Sequence, residues 1–193
     1  MRSSKAIATV VTVGALFVGG LGGAAHGDTT HRPQPTNPSR VIEHNTELGR
    51  EFVDLENEND NTRRQRIAES IVSPDYLQHN AIVEPGRAGL LAFMQNIRKS
   101  IPDVKFTSRD VFATDNRVVS RFTITGTVTD GPFMGIAPSG QKLEWDGVDI
   151  WTVRGGKLYE HWDQFDWPRA LIELGVQGLP QPFVQAASQP VNR

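Results

Sequence analysis

The feature that most constrains this chain is a change of hydrophobic period near residue 103. Before it, apolar side chains recur every three or four residues; after it, they alternate. Val41, Ile42, Leu48, Phe52, Val53 and Leu55 predict a helix from Ser39, as its cap, through about residue 57. Ile67 and Ile71 predict a shorter helix over 62–71, and Leu90, Leu91, Phe93, Met94 and Ile97 a third over 87–100, stopped at Pro102. SPDYLQHNAIVEPGRAG, between them, reads as a loop-rich passage. VKFTSRDVFAT, NRVVSRFTITGTVTD, GQKLEWDGVDIWTV and GKLYEHWDQFDW then read as four successive strands. PRALIELGV predicts a last short helix. A helical stripe cannot serve as a half-buried strand, so the order of periods implies an α+β domain. Helices lie on one face of a curved antiparallel sheet, with a hollow between them that suits a small molecule.

The first 27 residues stand outside this pattern. Arg2 and Lys5 precede the apolar run AIATVVTVGALFVGG and the small-residue stretch GGAAHG, the layout of a signal peptide and hence of a secreted protein. A membrane anchor is the alternative, but the run holds several glycines and is short for a span of roughly 20 apolar residues. Residues 28–38 read as a linker, 39–170 as the folded domain and 171–193 as a tail. Absence of cysteine excludes a disulfide framework, a thiolate nucleophile and a zinc-thiolate site. Without Arg2 and Lys5 the basic count falls from 20 to 18 against 22 acids, so no basic face invites nucleic acid. RRQR at 63–66, after the acidic run DLENEND, reads as a solvated helix start.

Chemistry concentrates in the last strand. Alternation along YEHWDQFD places His161, Asp163 and Phe165 on one face and Glu160, Trp162 and Gln164 on the other. The first set is the better candidate for the hollow, where a buried histidine and aspartate must be paired or used. Hydrogen bonding of His161 and Asp163 to one another or to a neighbouring strand is the plainer account of the same pattern. Arg121 either reaches an inward carboxylate, Asp163 being the natural partner, or lies on the outer sheet face. Asp149 depends on the RGG turn: a two-residue turn sets it opposite Trp162, whereas an extra residue in the turn brings it to the side of Asp163. Tyr76, Phe93, Phe133, Trp151 and Phe165 are core aromatics that also suit ligand contact. His79 and His161 show no close metal-ligand spacing, and no metal is expected.

YLQHN, residues 76–80, followed by EPGRAG and, about 80 residues on, by a Gly156-Lys157 turn and Glu160-His161-Trp162-Asp163, resembles the SnoaL-like polyketide cyclases of the nuclear transport factor 2-like superfamily. Tyr76, His79, Asn80, Gly86, Gly89 and Trp151 complete the similarity, which runs over roughly residues 39–167. The resemblance implies a cone-shaped α+β fold, a homodimer through the outer side of the sheet, and a reaction without cofactor. It also implies that Asp163 acts as acid and base in an aldol closure; hydrogen bonding from His161 or His79 then suits the enolate or the carbonyl. Tyr76, Asn80, Phe93, Arg121, Phe133, Asp149, Trp151 and Phe165 are the expected substrate contacts. Epoxide-opening relatives carry Arg-x-Asp where this chain has Arg121-Phe122-Thr123, which counts against that reaction. Two functions stand: an enzyme for a small hydrophobic carbonyl compound, or a secreted protein that binds an apolar molecule without turnover.

Overall fold

A computed structural model describes residues 37–138 and 140–178. The expected signal peptide, most of the linker and the end of the tail lie outside these residues. Helix α1 spans Pro38–Asn57, capped by the side chain of Asn37, which accepts from the backbone N–H of Ser39 at 3.0 Å. The cap therefore sits two residues before the expected Ser39. Helix α2 spans Asn61–Ile71 and helix α3 spans Gly86–Ser100. Strands β2 (Lys105–Ala113), β3 (Arg117–Val128), β4 (Gln141–Arg154) and β5 (Lys157–Phe165) are the four that alternation predicts. Helix α4, Trp167–Glu173, crosses the expected domain boundary at 170.

One strand was not expected. β1, Val72–Gln78, occupies the start of the passage read as loop and pairs with β5 in parallel, giving the sheet order β1-β5-β4-β3-β2. The sheet is thus mixed, not wholly antiparallel. Pro74 removes a ladder donor, which an edge strand tolerates and a central one does not.

The hairpin joining β4 and β5 decides which acids meet. Gly155 and Gly156 form a two-residue loop at φ 57° and 74°, conformations that suit glycine. Arg154 and Val153 face Lys157 and Leu158, yet Thr152 faces Glu160, so Tyr159 is an extra residue bulged out of the ladder. From there on every pair is shifted by one, and Asp149 stands opposite Asp163, Trp151 opposite His161. The turn has two residues and the acids still share a face, because the bulge supplies the added residue.

Two apolar clusters hold the helices against the inner face. One joins Leu48, Phe52 and Leu55 of α1 to Tyr76, Leu90, Met94, Trp151 and Leu158. The other joins Val53 to Phe106, Phe122, Ile124, Phe133, Trp145 and Leu174. Gly147, between Phe122 and Phe165, leaves room for both rings, since a Cβ there would lie 2.6 Å from one and 2.9 Å from the other. Among the described residues no helix is long and apolar enough to cross a membrane.

Candidate active site

A cavity opens where the two clusters meet, lined by α1, α3, the inner sheet face and the turns before α3 and β4. Most of its wall is apolar, and its polar part is formed by Glu56, Gln78, Arg98, Asp149, His161 and Asp163. Its free interior is about 60 Å³, room for a few waters. A ligand of several rings needs roughly 300 Å³ or more, so the side chains near the mouth must shift to admit one. Among the large apolar side chains that line it, Ile82 and Met134 are the exposed ones, at 57% and 48%.

Strand β1 and the turn after it fix the polar groups in a definite order. Asn80 accepts from the backbone N–H of Ile82 through Oδ1, which turns its Nδ2 toward Asp163, where it donates at 2.9 and 2.8 Å to the two carboxylate oxygens. The backbone N–H of Asn80 donates to Gln78 Oε1, which leaves Gln78 Nε2 to donate to His161 Nδ1 at 2.9 Å. His161 Nδ1 is therefore an acceptor, and the ring proton sits on Nε2, 3.0 Å from Asp149 Oδ1. Trp151 stacks on the same imidazole at 5.0 Å and 13°, fixing its plane.

Electrostatics follow from burial. Asp149 is pushed above the ordinary aspartate value chiefly by loss of water, against the pull of His161 and with the carboxylate of Asp163 adding to the rise. Glu56, on the last turn of α1, is raised well above its ordinary value by burial first and then by Asp149, with Arg98 opposing and Asp163 adding. Its Oε2 has no hydrogen-bond partner among the described residues. Trp145 Nε1, on another lining residue, also lacks one among these residues.

The expected site residues divide clearly. Asp163, His161, Asp149, Phe93, Phe133 and Phe165 line the cavity. Asn80 stands behind Asp163, while Tyr76 and Trp151 pack as core, joined by the Trp151 Nε1 bond to Tyr76 Oη at 3.1 Å. His79 is not in the site. It follows Gln78 on the alternating strand, so it points to the outer face, stacks on Trp162 at 4.8 Å and meets Glu160 at 3.0 Å. Arg121 also lies outside, bonded to Asp110, because inward Phe122 forces its neighbour out. His161 and Asp163 do not bond each other; His161 bonds Asp149 on the neighbouring strand β4, and Asp163 bonds Asn80. Gln78 and Glu56 also line the cavity, and alternation does not single them out: Gln78 falls in the passage that reads as loop, Glu56 in an acidic run. The signal for Glu56 was its place four residues after Phe52, on the stripe Asn45, Gly49, Phe52 that α1 buries.

Asp149, His161 and Asp163 each bring one donor atom within 4.8 Å of the others, close enough for a metal ion. Both ring nitrogens of His161 are already engaged, so a metal would have to displace Gln78 or Asp149 from the imidazole.

The model of the family described as SnoaL-like polyketide cyclase matches residues 46–171. Among solved structures, TsrD from Streptomyces laurentii is 27% identical, with 69% of this chain and 96% of that one covered at a TM-score of 0.62. AclR from Streptomyces galilaeus, described as a candidate hydroxylase, is 28% identical over 76% and 91% of the two chains at a TM-score of 0.61. IdmH from Streptomyces antibioticus, described as a candidate polyketide cyclase, is 26% identical over 68% and 99% at 0.56. Among curated proteins none matches.

Proposed function

Because the chain belongs to the SnoaL-like polyketide cyclase family, we propose that it is a cofactor-free acid/base enzyme for a small hydrophobic carbonyl compound, with Asp163 moving the proton. The observation that carries this is the placing of Asp163. Its carboxylate lines an apolar cavity, is aimed by Asn80, and has no cationic partner within salt-bridge distance among the described residues. Such a carboxylate is free to take a proton from carbon next to a carbonyl, leaving the electron pair on the carbonyl oxygen as an enolate. In an aldol closure the enolate carbon then forms a bond to a second carbonyl carbon, and the alkoxide produced takes back the proton from Asp163. Atoms and charge balance without a co-reactant. His161 acts here as a strut: with Nε2–H given to Asp149 and Nδ1 filled by Gln78, it holds Asp149 and has no free N–H for the enolate.

Solved relatives described as candidate cyclase and candidate hydroxylase share this fold, so more than one reaction fits the scaffold. Proton transfer at carbon is testable without the natural substrate. In heavy water, the protein is expected to speed deuterium uptake beside the carbonyl of 2-tetralone, and Asp163→Asn to lower that rate by about 10²- to 10⁴-fold with little change in melting. Equal rates in both proteins would leave a binding protein as the better reading.

Two further parts of the proposal concern the whole molecule. Residues 1–27 are read as an export leader; recovery of the intact chain only from the cytosol would count against it. Association into a homodimer through the outer sheet face is supported by Leu77, Phe112 and Ile150, large apolar residues exposed on that one face. Sedimentation at a monomer's rate would remove it.

A further inference from the structure

We propose that Glu56 is a protonated carboxylic acid that donates its hydrogen bond to the ligand's carbonyl oxygen, so that the cavity takes a neutral ketone in preference to a carboxylate. This rests on the acid/base reading of Asp163 and adds the group that reading lacks. Proton removal from carbon leaves negative charge on oxygen, and a donor must meet it there. His161 cannot, since its N–H is committed to Asp149.

Glu56 meets the requirements of position and chemistry. It lies one helical turn after Phe52, whose ring is 6.0 Å from the His161 ring, so the two α1 side chains face the same polar end of the cavity. It is only 7% exposed, and its Oε2 has no hydrogen-bond partner among the described residues. A buried ionised carboxylate so placed is costly; a carboxylic acid is much less so, and its O–H seeks an acceptor. The groups facing it favour the acid. Asp149 on β4 and Asp163 on β5 are like charges, and Tyr76 on β1 brings no cation. Among the described residues Arg98 on α3 is the cation that acts on it, and it spends hydrogen bonds on the backbone carbonyl of Glu56 and on Asn59 Oδ1, forming no ion pair there with the Glu56 carboxyl. An incoming carboxylate would join two or three acids at one end of a mostly apolar cavity, whereas a ketone brings no charge until Asp163 has accepted one proton. Burial makes the same carboxyl a donor that stays in place through the reaction, as a protonated acid in an apolar site can.

Infrared spectroscopy and a ketone probe test this together. At pH 7 the wild-type protein is expected to show a protonated carboxyl band that is missing from Glu56→Gln. Isotope-labelled 2-tetralone bound to wild type should have its carbonyl stretch lowered, and Glu56→Leu should return it to the value in apolar solvent. In the deuterium assay Glu56→Leu should cost about 10²- to 10³-fold in turnover with little change in KM, and Glu56→Gln, which keeps an N–H donor, should restore part of that. 2-Tetralone should bind about tenfold or more tightly than the carboxylate of the same ring system. Absence of the protonated band, an unmoved carbonyl stretch in Glu56→Leu, or a ketone that binds no better than the carboxylate would overturn the proposal. If Glu56→Leu leaves exchange intact while Asp163→Asn abolishes it, Glu56 loses its role and Asp163 keeps its own. If neither changes the rate, the acid/base reading itself falls.

Discussion

Strand β5 supplies one member to each of two histidine–carboxylate pairs, one on each face of the sheet, and both measure 3.0 Å. His161 faces inward to Asp149 and lies flat on Trp151; Glu160 faces outward to His79, which lies flat on Trp162. What separates them is water. Side-chain exposure is 5% and 3% for His161 and Asp149, against 45% and 25% for His79 and Glu160. In the outer pair solvent screens the charges and satisfies whatever the partner does not, so the contact is worth little. In the inner pair each polar atom must find a partner, and Gln78, Asn80 and Asp163 are drawn into one network for that reason. Equal distances therefore say nothing about chemistry here; burial decides it.

Substitution should break this symmetry in a graded way. Asp149→Ala leaves the buried N–H of His161 without an acceptor and is expected to cost about 2 kcal/mol in urea unfolding, while Glu160→Ala should cost about 0.2–1 kcal/mol. Equal losses would show that the inner pair is as well hydrated as the outer one. The next effect concerns pH. Glu56 is raised by burial above its ordinary value of 4.5, so the folded state binds the extra proton and stability falls as pH rises from about 4.5 toward neutrality. Asp149, also raised by burial, adds loss of the same sign. Glu56→Gln should flatten this decline, gaining on wild type at pH 7 relative to pH 4, and parallel stability curves for the two proteins would contradict it.

Much of this arrangement was legible in the residues. The helices and four of the strands follow from the hydrophobic periods, and His161, Asp163 and Phe165 fall inward by simple alternation. What stayed hidden depends on pairing between strands. The Tyr159 bulge shifts the register by one, and such a slip reverses the face of each residue beyond it; local sequence did not show which side Asp149 takes. Pro74 and Asp75 gave β1 the look of a loop, and its partner lies more than 80 residues away. Once β1 is seen as a strand, His79 must point away from Gln78 and Asn80, and its likeness to a catalytic histidine ends. Glu56 was masked by the acids around it in DLENEND, although only it and Leu55 of that stretch are well buried. Phe122 and Ile124 could have placed Arg121 outside, since their inward faces leave it no other direction.

The central claim is that proton transfer belongs to the inner face alone. Deuterium uptake by 2-tetralone, followed by NMR for wild type, Asp163→Asn and His79→Ala, tests it most directly. The account predicts a loss of about 10²- to 10⁴-fold for Asp163→Asn and a wild-type rate for His79→Ala. A His79→Ala protein as impaired as Asp163→Asn, or an Asp163→Asn protein as fast as wild type, would contradict it.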